Sequence, residues 1–324
     1  MWKHQYTYLP EGMYSGSQNS ELMSSLPALE RAMAQRKILE APAILCDGDL
    51  NLIVDLGMIQ GIVPRSQAAI SQNGEPIKDI AIISRVGKPI SFMITGFDTD
   101  SKGNPRAILS RRAAQYACLH DYLMTLQAGD IIPAKVTHLE HFGAFVDVGC
   151  GLPSLFSIDS ISISRIAHPR DRFYVGMPVR AVVKSVDPEN QRIYVSHKEL
   201  LGTWEENASN FRVGQTVVGI VRSVEEYGIF IELAPNLAGL AEYREDVEVG
   251  QPAAVYIKNI IPERMKIKLV IIDTCKSENT RSGEHLQYYI PSEVTHLDYW
   301  RYSPMGTHRV IESVFHQSTL VSNS

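Results

Sequence analysis

The chain restates its own pattern, and a repeat settles architecture before any local reading does. Gly129-Asp130-Ile131-Ile132-Pro133-Ala134-Lys135-Val136 returns as Gly214-Gln215-Thr216-Val217-Val218-Gly219-Ile220-Val221. At the same offset, Phe142-Gly143-Ala144-Phe145-Val146-Asp147-Val148 returns as Tyr227-Gly228-Ile229-Phe230-Ile231-Glu232-Leu233. Further on, Val175-Gly176 and Val182-Val183-Lys184 match Val249-Gly250 and Val255-Tyr256-Ile257-Lys258. A fainter copy lies upstream, where Leu50-Asn51-Leu52-Ile53-Val54-Asp55-Leu56-Gly57 occupies the place of Phe142 to Gly149. Its closing strands are expected at Pro89 to Gly96 and Ala107 to Ser110.

Each copy reads as about five short strands of period-two alternation. In the middle copy Ala144, Val146 and Val148 face one way, Phe145 and Asp147 the other. Turns at Gly149-Cys150-Gly151 and Asp187-Pro188-Glu189-Asn190 separate the strands, and Ser157 to Arg172 is expected to hold a short helix. Five strands with a helical insertion after the third is the plan of a Greek-key barrel, the OB-fold. The expected fold class is therefore mainly β, with three tandem OB-fold barrels joined by helical linkers. The domains are an N-terminal arm and helix (1–37), a degenerate barrel (38–112), a helical linker (113–127), a barrel (128–197), a second linker (198–211), a third barrel (212–273) and a C-terminal extension (274–324). The helix around Pro27 to Arg36 is expected to pack on the first barrel, and residues 1–20 to be loose. The tail carries Tyr288, Tyr289, Tyr299, Trp300 and Phe315, and fits no repeat.

Composition removes several classes. In 324 residues 44% are hydrophobic and 21% charged, which excludes a wholly disordered or collagen-like chain. No apolar run reaches the length of a membrane helix and Met1 to Tyr6 lacks a signal-peptide core, so a cytoplasmic protein without a membrane partner is expected. The four cysteines have no C-x-x-C or metal-ligand spacing, which implies reduced thiols. A net charge of -5 argues against indiscriminate duplex binding, yet leaves room for a groove that holds a single strand by stacking.

With Ala144, Val146 and Val148 inside, Phe145 lies outside, and Phe142 joins it across Gly143. Exposed rings side by side favour a flat ligand, and nucleobases stack on aromatics for about 1–3 kcal/mol each. The competing reading is that a linker or the neighbouring barrel covers them. The third copy repeats the pair as Tyr227 and Phe230, among Glu225, Glu226, Glu232 and Glu242, which would repel phosphate. The first copy has Leu50 and Ile53 there and no stacking platform; its face suits docking. The last turn pairs Asp187 with Arg192, Asp98 with Arg106, and Ile261 with Lys266. Such a pair could contact RNA or be a turn salt bridge, and the sequence leaves both open.

These residues carry a family resemblance. Phe142 to Gly149, Leu152-Pro153-Ser154-Leu155 and Val182 to Asp187 resemble the RNA-binding domain of ribosomal protein S1, and Ser196 to Glu205 is similar to the segment joining its consecutive domains. The resemblance covers about residues 38 to 273, in the manner of a short bacterial relative with three domains. It implies binding of single-stranded mRNA and association with the small ribosomal subunit in translation; the chain is expected to be a monomer. The RNA-contacting set then falls on Phe142, Phe145, Asp187 and Arg192, with Phe156 standing for a third-strand histidine. In the third copy it falls on Tyr227, Phe230 and Lys266, with Ala241 at the histidine position and Ile261 at the acidic one.

No phosphate loop, H-E-x-x-H or G-x-S-x-G pattern is present, so no enzyme, metal or cofactor is expected. His138 and His141 lack further ligands, and Cys150 lacks a neighbouring base. The rival functions are a protein-interaction scaffold and a regulator of RNA turnover using the same barrels.

Overall fold

The computed structural model of the chain describes residues 7–14, 16–71, 77–275 and 286–315. Alternation closes three barrels, each with one parallel contact between its third and fifth strands. The first comprises β1 (Leu39–Cys46), β2 (Leu52–Asp55), β3 (Gln60–Val63), β4 (Pro89–Thr99) and β5 (Pro105–Ser110). The middle one comprises β6 (Ile131–Glu140), β7 (Gly143–Asp147), β8 (Pro153–Ser157), β9 (Pro178–Asp187) and β10 (Arg192–Ser196). The third comprises β11 (Thr216–Glu225), β12 (Gly228–Ala234), β13 (Leu237–Ala241), β14 (Pro252–Ile261) and β15 (Lys266–Thr274). Between β8 and β9 lie the helix Ile158–Ile161 and a 3-10 turn Pro169–Asp171. Five strands enclose a narrow lumen, which small and β-branched side chains fill: Ala134, Val136, Ala144, Val146, Ala181, Val183 and Val195.

The linkers serve as packing elements. Ser110 caps the helix Arg111–Asp121 by accepting from the Ala113 N–H (2.9 Å). Its Ala114, Cys118 and Leu119 join Ile38 and Met93 of the first barrel to the middle barrel's core. The next linker is a 3-10 turn, Lys198–Leu201, followed by the helix Trp204–Ala208, which Thr203 and Glu206 start with reciprocal capping bonds. Leu200 and Trp204 then join Ile131 and Val182 of the middle barrel to the third barrel's core. The helix Leu26–Ala34 buries Leu29 and Ala32 on the first barrel.

The expectation of a loose N-terminus fails over residues 8–14, while residues 1–6 lie outside the described residues. Tyr8 is buried and stacks on Tyr122, with ring centroids 5.7 Å apart. Glu11 is buried where three parts of the chain meet. Its carboxylate accepts from Arg111 Nε (2.7 Å) and Nη2 (3.0 Å) in the linker and from the Ser91 N–H (3.1 Å) on β4. Its own N–H donates to Asp147 on β7 (2.7 Å), and Lys135 donates to its carbonyl (2.9 Å). Asp147 also accepts from the N–H groups of Gly149 and Gly151. It thus faces out of the barrel yet is buried, and burial, with Glu11 alongside, pushes its carboxyl up to about 7. Paired buried charges hold this arm down, a tertiary effect that local composition does not report.

The tail is a strap across the junction of the middle and third barrels. β16 (Tyr299–Arg301) pairs with β17 (Glu312–Val314), while Trp300, Tyr302 and Phe315 are buried in the third barrel's core cluster. Upstream, the Leu297 N–H donates to the Gly129 carbonyl and the Ile131 N–H to that of Thr295. Arg180 on β9 donates to the carbonyls of Ile290, Pro291 and Val294 (2.6–2.9 Å).

His197 is fully buried beneath this strap. Its Nδ1 is 3.1 Å from the Ile161 carbonyl, which only accepts, so Nδ1 carries the proton and Nε2 accepts from the Tyr288 hydroxyl (3.2 Å). Burial, with Arg172 nearby, lowers this histidine from 6.5 to about 4, against the Ile161 bond. A lowered folded value means that its share of stability is complete above about pH 6.5 and is lost as pH falls towards 4. Asp147 and Glu40, both raised to about 7 chiefly by burial, act in the opposite sense as acid protonates them. The His197 ring is expected to titrate in the folded protein with a midpoint near 4, as followed by NMR of its imidazole signals; a midpoint near 6.5 would contradict the buried neutral state.

Candidate nucleic-acid interface

The register of the strands builds one outer face three times over. In the middle barrel Phe145 lies opposite Leu155, and their inward neighbours Ala144 and Phe156 lie opposite each other. Phe142 is 55% exposed and Phe145 half-buried, and their rings meet edge to face at 6.0 Å and 88°. The third barrel repeats the arrangement: Tyr227 is 71% exposed, Phe230 is half-buried, and their rings meet at 6.1 Å and 83°. A glycine makes each pair possible. A Cβ on Gly143 would lie 2.1 Å from the Phe156 carbonyl oxygen, and one on Gly228 2.5 Å from that of Ala241. The bend between the two rings therefore needs close approach of the neighbouring strand.

Phe156 does not belong to this face. It is 0% exposed and packs on Phe173 and His197 inside the barrel. The reason is volume: Ala144 opposite it is small, and the inward pair shares one slot of the lumen. The equivalent inward pairs are Leu52 with Val63 and Ile229 with Ala241, again trading size across the two strands. Ala241 is likewise core, and the outward positions of β8 are Pro153, Leu155 and Ser157.

The turn residues are arranged differently in the three barrels, and only the first shows the expected turn salt bridge. In the first barrel Arg106 closes a two-point salt bridge on Asp98 (3.0 and 2.8 Å). In the middle barrel Asp187 instead accepts from the Asn190 N–H (3.1 Å) and side-chain amide (2.8 Å), which fastens the turn. Those bonds, with Arg192 nearby, hold its carboxyl below the usual range. Arg192 stands exposed across from it, and Lys266 stands exposed across from Ile261.

Glu232 corrects the expected repulsion in the third barrel. It is buried and bonded to Arg172 of the middle barrel (2.5 Å) and to Arg222 (2.9 Å), while Arg222 also meets Asp171 (3.2 Å). Its charge is spent on the junction between barrels. Glu226 and Glu242 remain exposed and Glu225 half-buried.

Two outward residues on the fifth strands escaped the sequence reading, although alternation marks them. Tyr194 lies between inward Ile193 and Val195 and is 48% exposed; Lys268 holds the same place in the third barrel. The exposed His138 sits beside Phe145 at 6.3 Å and bonds Glu140 (2.7 Å). Among the described residues no group of three or more His, Cys, Asp or Glu could hold a metal ion, and no helix is long and apolar enough to cross a membrane.

Comparison with known proteins places these features in context. Residues 125–198 match the family described as S1 RNA binding domain. Over 250 residues the chain is 30% identical to small ribosomal subunit protein bS1 of Staphylococcus aureus (strain COL), covering 75% of this chain and 60% of that protein. It is 29% identical over 235 residues to the bS1 homolog of Bacillus subtilis (strain 168), covering 70% and 57%. The chain thus spans about 60% of the length of the curated relatives it matches. Among solved structures, a multidomain protein with nucleic acid binding domains from Streptococcus pneumoniae is 15% identical over 74% of each chain, with a TM-score of 0.23. GSP13 from Bacillus subtilis is 28% identical over 22% of this chain and 55% of that one, with a TM-score of 0.21.

Two substitutions test this geometry. Gly143→Ala is expected to cost about 1–3 kcal/mol in urea unfolding, because its Cβ meets backbone that cannot yield. Glu232→Ala is expected to cost about 3–5 kcal/mol by the same measurement, because it strands the buried Arg172 charge. A loss below about 1 kcal/mol would show that the junction does not depend on the pair.

Proposed function

We propose that this relative of ribosomal protein S1 binds single-stranded RNA without strong sequence preference and assists translation on the small ribosomal subunit. The observation that carries the reading is the edge-to-face ring pair, repeated on the same face of the middle and third barrels within 0.1 Å in centroid spacing (6.0 and 6.1 Å). A lone ring on a barrel face is ordinary surface. A pair held beside a bend that tolerates only glycine, built twice, suits bases that must be stacked whatever their identity.

The middle barrel is the main platform, with Phe142 and Phe145 as stacking rings and Arg192, exposed on the fifth strand of the same barrel, as a cation for the RNA backbone. Asp187 shapes the turn and leaves an acceptor edge for a base or 2′-hydroxyl. Tyr227, Phe230 and Lys266 form the weaker platform, since Glu226 and Glu242 stand exposed near it. Because the two are linked, the second contact is made at high effective concentration, and the pair binds more tightly than either alone. The first barrel differs. Leu45, Ile53, Ile62 and Ile108, followed by Gly96, form its equivalent row, whose four side chains are aliphatic, with Leu45 exposed. That surface suits attachment to protein and supports a role for this barrel in docking to the ribosome. The chain acts as a monomer in the cytoplasm, by binding and without catalysis.

The test is fluorescence anisotropy of a labelled single-stranded RNA against wild type and Phe142→Ala/Phe145→Ala, across a salt series and beside a duplex control. The double substitution is expected to lose about 2–5 kcal/mol of binding with a shallow salt slope. Unchanged affinity would reject the platform.

A further inference from the structure

Tracing one level of the barrel wall across all five strands exposes a residue that the aromatic pair does not include. In the middle barrel His138 pairs with Phe145, Phe145 with Leu155, and Leu155 lies beside Tyr194, since their inward neighbours Phe156 and Val195 are bridged in parallel. Tyr194 then pairs with Ser185, which is exposed. The row therefore reads His138, Phe145, Leu155, Tyr194, Ser185, all on the outer surface. The third barrel gives Ser223, Phe230, Leu240, Lys268, Asn259. Tyr194 is a ring where the first barrel has Ile108 and the third has a cation.

We propose that Tyr194 is a second stacking station, separate from Phe142 and Phe145, for a further base of the same RNA strand. The inference rests on the reading of the Phe142 and Phe145 face as an RNA platform. Neighbouring strands are about 4.8 Å apart, so Tyr194 stands about 10 Å from Phe145 with Leu155 between them. One base cannot touch both rings, and a strand that stacks at both must cross the low aliphatic saddle of Leu155. Arg192 lies on the same side of the same strand, two residues before Tyr194, where it can meet the phosphate linking the two stacked bases. In the third barrel Lys268 replaces the ring, so its second station is an ionic contact alone. The middle barrel thereby gains a longer footprint and the third a more salt-dependent one.

The experiment is a graded length series of labelled oligouridylates, titrated by anisotropy into full-length wild type, Tyr194→Ala, Tyr194→Phe and Phe142→Ala/Phe145→Ala. A separate station is length-gated. Tyr194→Ala is expected to bind the shortest oligonucleotides as wild type does and to weaken binding of longer ones by about 5- to 150-fold, with Tyr194→Phe retaining affinity. Tyr194→Trp supplies a direct readout: its indole emission should be quenched by long RNA and not by the shortest. If Tyr194→Ala matches wild type at every length while the double phenylalanine variant is weakened, the station does not exist and the platform stands. Equal loss at all lengths also overturns the station. If the double phenylalanine variant binds normally, the platform and the station fall together.

Discussion

Everything at the surface of this protein depends on a constraint inside it, the narrow lumen of a five-stranded barrel. Between bulges, strand residues alternate between lumen and exterior, so the room available inside dictates what stands outside. In β7 the lumen takes Ala144 and Val146, and Phe145 is thereby turned outward. In β8 the lumen takes Phe156 because its partner Ala144 is small. Leu52 with Val63, Ala144 with Phe156 and Ile229 with Ala241 are different divisions of one slot.

That frame permits the outer rows to diverge without disturbing the cores. One level of wall is aliphatic in the first barrel, aromatic in the middle one and mixed aromatic and cationic in the third. Divergence of this kind costs little in folding, because substitutions on the outer face leave the inward pairs in place. The three barrels are therefore alike in construction and unlike in the outer surface each presents.

Between barrels, buried charge and strapping segments do the joining. Glu11 bonds to the linker through Arg111, to the first barrel through Ser91, and to the middle barrel through Asp147. Glu232 joins the middle and third barrels through Arg172 and Arg222, and the tail covers the same junction with Trp300 and Tyr302. Removing one partner from such a site leaves an uncompensated charge, so each joint tolerates little change. The two aromatic faces are consequently presented on a braced pair of barrels.

The sequence by itself determined the repeat, the strands, the turns and the glycine-hinged ring pairs, because these follow from periods of a few residues. It also placed Phe145 and Phe230 outside by alternation within one strand, and Phe142 and Tyr227 beside them across the bends at Gly143 and Gly228. It carried the marks of Tyr194 in the run Arg192-Ile193-Tyr194-Val195, but the ring acquires meaning only beside Phe145, and that adjacency is made by closure of the barrel. Tertiary structure alone decided that Phe156 is core, that Glu232 is neutralised and that residues 8–14 and the aromatic tail are fastened. Each of those outcomes turns on a partner outside the strand or segment itself: a small residue on the neighbouring strand, an arginine on another barrel, a junction to be covered. Local periodicity has no access to such partners, and pairing over long range settles where volume and charge finally reside.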